Sequence, residues 1–503
     1  MMPRPDRFYI LVGFTLLMVS GVLLRPMMPI DETRYLSVAW EMRLGDHWLV
    51  PFKNGTPYDH KPPLLFWLMN LVWLPGVSET AARLVAPAFS VATLWATGRV
   101  SDAMGLGRDT GTAAMLILTT GAAFLFYGGE TGFDTMLALS VVLAVWQLWR
   151  IAQDQTFKTG QWALFGAALA LGVMSKGPVV FVHVLPPLAG LWLWAPRTPR
   201  VVPGVAVALA ACIGLVGLWL LPALVLGGAD YREAVLWTQT AGRTVSSFAH
   251  AHPVWYYLPL LPVLLFPWGW LPGFWKRLPL DAPERLLWIA TLGPLLIFSL
   301  ISGKQLHYLV PQLPWIAILL ARRWPDRIRH GWIPASILIV LAIAFCLLAF
   351  GVAGDEAALL LTWPIAITVA IPLLAVAGVI ALRPGLTMLA GPAAITALHL
   401  CYTLGPAGDI MSPARLAQRL APADGHIAMI SSVYHADFHF AGRLQHPFKL
   451  LTTPEDIERF AKSDPKGVIL GQPERAPMPS WPPAETIYYR NENWALWSTK
   501  DKP

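Results

Sequence analysis

The chain has 503 residues, of which 55% are hydrophobic and only 13% charged, with 24 Trp and a mean hydropathy of +0.53. A soluble domain would carry about 25% charged residues, so this is an integral membrane protein. Disorder, a nucleic-acid-binding domain and a disulfide-stapled secreted fold are excluded, because each needs more polar surface or more cysteine. The net charge of +7 therefore bears on membrane topology and not on nucleic acid.

The first apolar run, 8–24, follows Arg4 and Arg7 and ends in Arg25-Pro26 without a small-residue cleavage site. It reads as an uncleaved first span with a cytoplasmic N-terminus. Further runs suited to crossing about 30 Å of hydrocarbon fall at 81–99, 111–127, 134–149, 162–174, 178–194, 204–226, 255–272, 285–301, 307–321, 332–352, 362–382 and 386–403. The stretch 62–74 is ambiguous. If it spans, Arg99, Arg108, Arg150, Lys158, Arg197, Arg200, Lys276, Arg277, Arg285 and the basic run 322–329 all face outward. If it lies in the outer interface, all of them become cytoplasmic, as the positive-inside rule requires.

The expected fold is thus an α-helical polytopic membrane protein of about 13 transmembrane helices, with a periplasmic C-terminal tail. Residues 1–404 form the membrane domain, with a first outer loop at 26–80 and a flexible loop at 227–254. The tail, 405–503, is polar and alternates helix-like pieces (414–420, 454–462) with strand-like ones (427–433, 467–470, 486–489, 495–498), which predicts a small α/β domain. Cys212, Cys346 and Cys401 sit in apolar runs without metal-binding or redox spacing, so they read as small hydrophobes.

The outer segments of this map gather ionisable groups. They hold Asp31-Glu32-Thr33-Arg34-Tyr35, then Asp46-His47 and Tyr58-Asp59-His60-Lys61-Pro62, then Glu130, Asp134, Lys176, Arg243, His250, His252, Lys304 and His307. A single Lys or Arg at such a depth is ordinarily a snorkelling anchor and the Trp and Tyr stripes aromatic belts. Neither explains a carboxylate opening an apolar run, as at Asp134, or Lys176 between two nearly continuous spans. Charges at a membrane boundary are costly, and a cluster drawn from six loops points to a functional site.

The DETRY segment at 31–35, followed by Glu41-Met42, Gly45-Asp46, Tyr58 and Lys61-Pro62, resembles the first periplasmic loop of the lipid A aminoarabinose transferases (ArnT) and their relatives among the GT-C glycosyltransferases. Gly132-Phe133-Asp134, Gly172 to Gly177, the stretch from Trp237 to Trp268, and Ser302-Gly303-Lys304 resemble later outer loops of that family in order. The resemblance implies an inverting transfer of a sugar from an undecaprenyl-phosphate carrier at the periplasmic face of a bacterial inner membrane. The implied acceptor is lipid A, another envelope glycan or a protein; no nucleic acid is involved, and membrane lipids surround the chain. Asp31, Asp134 and Glu32 would be the catalytic carboxylates. Lys61, Arg34, Arg243, Lys304, Tyr58 and Lys176 would bind the donor phosphate. The family holds a metal ion with a Glu before the KP lysine and a later His; here those positions are His60 and His250, which together suit zinc or another divalent metal, with His252 as a competing ligand. A transporter or flippase of a lipid-linked sugar and a protein O-mannosyltransferase-like enzyme are the alternatives. The first fits less well because its charges belong near the midplane of repeated halves.

Overall fold

The computed structural model describes residues 6–154, 156–195, 200–237, 251–352, 354, 359–475 and 477–502. Among these, eight helices are long and apolar enough to cross a bilayer: Arg7–Leu24 (α1), Asp134–Gln153, Thr159–Ala189, Val201–Leu226, Ala282–Leu300, Trp332–Ala349, Trp363–Leu382 and Pro384–Leu404. Arg108–Thr120 and Ala122–Gly128 are apolar and long enough only as a pair, bent by 68° at the break between them. The chain is a multi-pass membrane protein. At the centre of the bundle, Val85–Ala103 buries Ser90, Thr93, Thr97 and Ser101. Thr93 and Thr97 return their hydroxyls to carbonyls one turn back, at 2.8 and 2.7 Å, which lets a less apolar helix lie inside the bundle.

Several expected spans take other forms: 162–174 and most of 178–194 fall within the single helical stretch Thr159–Ala189. The 255–272 run is broken into short turns, Leu258–Leu260, Leu261–Leu264, Trp268–Trp270 and Pro272–Phe274. Pro259, Pro262, Pro267 and Pro272 remove amide donors too often for a continuous helix. The 307–321 run opens as a 3₁₀ segment, Leu306–Gln312, before a ten-residue helix, Leu313–Arg322.

The first loop is built of α2 (Asp31–Leu44), a two-stranded hairpin of β1 (Phe52–Lys53) and β2 (Thr56–Pro57), and α3 (Leu64–Val72). Asn54-Gly55 turns the hairpin with both residues at positive φ, 54° and 75°, as a primed two-residue turn demands. The Glu41 carboxylate accepts both of their amides at 2.7 Å. Nine residues of helix rise only about 14 Å, so α3 is too short to cross, and Pro62-Pro63 ahead of it stop it growing backward. It buries Leu65, Phe66 and Met69 against α2, and Asn70 reaches the Ala39 carbonyl at 3.0 Å.

Beyond Ala414–Leu420 lies a five-stranded sheet of β3 (Ile427–Ile430), β4 (Lys449–Leu451), β5 (Val468–Gly471), β6 (Glu485–Tyr489) and β7 (Glu492–Ser498). Its order is β4-β3-β5-β7-β6, with β3 parallel to both neighbours and β7 antiparallel to both of its own. The Pro454–Ser463 helix starts with a capping box of Thr453 and Asp456. This domain docks on α2. Ser37 donates to the Ala436 carbonyl at 2.7 Å and accepts from the Phe440 amide at 3.0 Å, and Thr33 meets Asp437 Oδ1 at 2.9 Å. Trp40 donates to the Leu444 carbonyl at 2.8 Å, Asn54 pairs with both backbone groups of Phe448, and Phe440 stacks on Trp73 at 5.3 Å.

Glu32 fixes the other side of α2. Its carboxylate is 3% exposed and receives the Arg25 guanidinium as a fork at 2.7 and 2.8 Å, the Met28 amide at 2.8 Å, and the Thr131 hydroxyl and amide at 2.7 and 3.3 Å. Arg83 stands 3.6 Å away and donates to the Arg25 carbonyl at 2.9 Å. Burial alone would raise this carboxyl's pKa, but the charge and hydrogen bonds of Arg25, with Arg83 and the Met28 amide, outweigh it and hold it at about 2. Removing one partner of a buried pair costs about 3–5 kcal/mol, so Glu32→Gln is expected to lose stability on that scale in detergent unfolding. Because the folded pKa is depressed, the contribution is complete above the ordinary value of 4.5 and is lost as pH falls toward about 2. The variant should lack this acid-sensitive phase, and an unchanged acid profile would contradict the assignment.

Candidate active site

Asp31 is the first residue of α2, where exposed amides favour an anion. Its side chain is 63% exposed and paired with Arg34, whose own side chain is 16% exposed and lies with Cζ 5.4 Å from the Tyr35 ring centre. A carboxylate held by one guanidinium yet open to solvent can still accept a proton from an incoming nucleophile. Asp134 is the first residue of its helix, and Lys176, at the end of the helical stretch Thr159–Lys176, meets it at 2.5 Å. The Lys176 ammonium also lies 5.2 Å from the Tyr308 ring centre. The Lys61 ammonium is 5.5 Å from the centre of Phe133, the residue before Asp134. Tyr35, Tyr58, Phe66 and Phe133 form the apolar floor, with Tyr35 and Phe133 edge to face at 4.9 Å and Tyr58 and Phe66 at 6.2 Å.

Asp31, Arg34, Tyr58, Lys61, Asp134 and Lys176 thus share one end of the bundle, while three expected site residues take other parts. Glu32 is saturated by the contacts above, so in this structure it braces α2. Lys176 neutralises Asp134, which makes it a positioning residue for that carboxylate. Lys304 is 2% exposed and gives its ammonium to the carbonyls of His252, at 2.8 Å, and Ile301. Together with the His252 amide on the Ser302 carbonyl at 3.1 Å and the Ala251–Gly303 bridge, it staples two backbone segments together. Arg243 and His250 lie outside the described residues.

For a metal, the described residues offer His60, half-exposed, with Nε2 3.7 Å from Asp59 Oδ1. No group of three or more His, Cys, Asp or Glu able to hold an ion occurs among the described residues, and two donors at that separation fall short of the usual four. His252 stacks on Tyr256 at 4.1 Å.

The family model of dolichyl-phosphate-mannose-protein mannosyltransferases matches residues 60–222. The crystal structure of ArnT from Cupriavidus metallidurans bound to undecaprenyl phosphate aligns over 97% of both chains with a TM-score of 0.74 at 18% identity. This chain has the ArnT-like GT-C fold. Among curated proteins, the undecaprenyl phosphate-alpha-4-amino-4-deoxy-L-arabinose arabinosyl transferase of Enterobacter sp. (strain 638) is 30% identical over 354 residues, 66% of this chain and 63% of that protein. The enzyme of the same name from Erwinia tasmaniensis is 30% identical over 309 residues, 59% of this chain and 55% of that protein. The matched stretch spans less than two thirds of the length of these relatives.

Within the ArnT-like fold, Glu130 joins the site although the motif gave no reason to choose it. It lies in the turn before Asp134, half-buried; its amide donates to the Tyr127 carbonyl at 3.4 Å, and its carboxyl makes no hydrogen bond or ion pair among the described residues. Burial, then the charge of Glu32, push its carboxyl up to about 8, with Asp134 and Asp31 adding and Arg25 opposing. It is therefore neutral at moderately low pH. With a raised folded pKa, its stabilising contribution is complete below the ordinary 4.5 and is lost as pH rises through about 8. Glu130→Gln should match wild type in thermal stability at the acid end and exceed it increasingly across that window. A stability gap that does not change with pH would remove Glu130 as the titrating group.

Proposed function

We propose that this protein is a glycosyltransferase that moves a sugar from an undecaprenyl-phosphate-linked donor to an envelope acceptor, lipid A or another glycan, with inversion. Its place is the bacterial inner membrane, with the N-terminus cytoplasmic and the C-terminal domain periplasmic, a reading supported by the positive-inside rule applied to the basic loops of the sequence. The observation that carries the function is the gathering of an open carboxylate, Asp31, a lysine-paired carboxylate, Asp134, and Lys61 at one end of an ArnT-like bundle. The relatives named above are transferases that use this donor class. An acceptor oxygen would attack the anomeric carbon and pass its proton to Asp31, while the bond from that carbon to the phosphate oxygen breaks and polyprenyl phosphate leaves with the electron pair. Lys61 would neutralise the departing phosphate, and the flanking carboxylates would stabilise the oxocarbenium-like sugar. The match of residues 60–222 to protein mannosyltransferases favours a protein acceptor as the second reading.

Comparative mass spectrometry of lipid A, envelope glycans and periplasmic glycopeptides, from cells with and without the gene, identifies the product; no difference in any of the three removes the proposal. In membranes supplied with the donor, Asp31→Asn and Asp134→Asn are expected to lower turnover by about 10²–10⁴-fold while inserting normally. Wild-type turnover in both would return these carboxylates to structural status.

A divalent metal on His60 and His250 belongs to the same proposal, and it would supply an electropositive anchor beside the Lys61 side of the site. Neutral imidazoles are needed to ligate it, so affinity should fall below about pH 6. Elemental analysis of purified protein decides: less metal in His60→Ala and His250→Ala than in wild type supports it, whereas equal content in all three, or none in wild type, rules it out.

A further inference from the structure

The helix Ala282–Leu300 has 19 residues and rises about 28 Å. It ends near Ser302 and Lys304, the chain passes Tyr308 over the Lys176 ammonium, and Leu313–Arg322 then runs back. The segments flanking this pair, 271–281 and 323–331, therefore meet at the end of the bundle opposite the candidate active site. They are joined from within. Arg323 Nε donates to the Lys276 carbonyl at 2.9 Å, Phe274 meets Trp324 edge to face at 5.6 Å, Arg322 forks onto Asp281 at 2.9 and 2.6 Å, and Arg323 pairs with the buried Glu284.

Between the two segments is a cavity of about 430 Å³, a volume that accommodates a small ligand or headgroup. Leu271, Phe274 and Pro325 line it and are buried. Around them stand Lys276, Arg327, Arg329 and His330, all exposed, with Asp326 as the one carboxylate of the lining. Arg322 and Arg323, on the same turn of chain, are answered by Asp281 and Glu284. The side chains of Lys276, Arg327, Arg329 and His330 make no hydrogen bond or ion pair among the described residues. Snorkelling cations ordinarily spread around a bundle, whereas these converge on one concave, apolar-floored space.

The surroundings of the cavity are those of a membrane interface. Trp275, next to Lys276, is 52% exposed and donates its indole N–H to the Gly269 carbonyl at 2.8 Å. Trp332, two residues beyond His330, is 62% exposed. Tryptophans at a bundle end mark the headgroup level. Trp332 also opens the helix Trp332–Ala349, of which only 28% is buried, so acyl chains run alongside it from the level of the cavity.

We propose that this cavity is a binding site for an anionic phospholipid of the leaflet opposite the active site, with a diphosphate headgroup of the cardiolipin type held by Lys276, Arg327 and Arg329 and its acyl chains lying along Trp332–Ala349. Three permanent cations against one carboxylate suit a dianion, and oxygen-rich phosphates can accept from several of these donors at once. Basic pockets at the cytoplasmic ends of transmembrane helices bind such headgroups. The bound lipid would tie the segment 271–281, which follows the proline-broken stretch, to the segment 323–331. The site is independent of the reaction assigned to the other end of the bundle.

The test measures binding of fluorescent cardiolipin to the purified full-length chain in nonionic detergent, with unlabelled cardiolipin, phosphatidylcholine and inorganic pyrophosphate as competitors. Wild type is expected to bind the probe, with cardiolipin competing and the other two not. Changing Arg327→Gln and Arg329→Gln together should weaken binding by at least about tenfold, the scale of two cations near an anionic headgroup. Arg327→Lys with Arg329→Lys should retain it. Arg277→Gln, which removes a neighbouring charge outside the lining, should also retain it, and every variant should unfold at the wild-type temperature in lipid-free detergent. Binding that is absent in wild type, or equal in wild type and the double Gln variant, overturns the proposal. An Arg277→Gln loss as large as that of Arg329→Gln overturns it too, because the attraction would then belong to the basic surface as a whole. Pyrophosphate competing as well as cardiolipin would make the cavity a site for free anions and not for lipid.

Discussion

The first loop depends on one buried ion pair. Arg25 ends α1, Glu32 opens α2, and Thr131 sits in the turn before the Asp134 helix; the Glu32 carboxylate joins all three. Such a pair gains little net stability over an apolar substitute, since both charges must leave water. Its value is directional. A guanidinium fork and three further donors around one carboxylate hold α2 in one orientation, and with α2 fixed, Asp31 one position earlier points about 100° away around the helix, toward solvent. The exposed carboxylate is placed by the buried one beside it.

The same economy applies to Asp134 and Lys176. Each alone would be an uncompensated charge at the end of an apolar helix, and together they are tolerable at the membrane boundary. Their helical segments, Asp134–Gln153 and Thr159–Lys176, are neighbours in sequence, and Gly177 at a φ of 77° interrupts the longer stretch Thr159–Ala189 directly after the lysine. Tyr308 covers the ammonium, which leaves Asp134 oriented and Lys61 as the lysine next to the Phe133 ring.

Much of this was legible in the chain because the membrane imposes strong rules. Long apolar runs had to be helices, and the sign of the loop charges distinguished 62–74 from a span before its helix proved only nine residues long. Asp31, Lys61 and Asp134 stood out as charges at apolar boundaries. The errors have physical causes as well. Hydropathy sums over residues and is blind to the missing amides of Pro259, Pro262, Pro267 and Pro272, so 255–272 looked like a span. The internal partners of Glu32 and Lys304 are likewise visible only in tertiary contact. Glu130 belongs to the outer cluster of charges, but its raised pKa comes from burial and from Glu32, far away in sequence, which no motif reveals.

The C-terminal domain shows the limit most clearly. Its helices and strands alternate in the polar tail as periodicity suggests, with β4 escaping notice because it is a three-residue edge strand. Nothing in the tail announces that it would seat on α2. The contacts that do so join Thr33 and Ser37 to Ala436, Asp437 and Phe440, about four hundred residues apart. They use backbone groups and small hydroxyls, which carry no pattern of their own. Yet α2 is gripped on one face by Glu32 and on the other by this domain, so any motion of the domain must either tilt α2 or break buried hydrogen bonds. An unmade buried hydrogen bond costs about 1–3 kcal/mol, and several lie in this contact. Displacing the domain would therefore be resisted at the residue that begins α2, which makes the tail a structural partner of Asp31 and not an appendage to the membrane bundle.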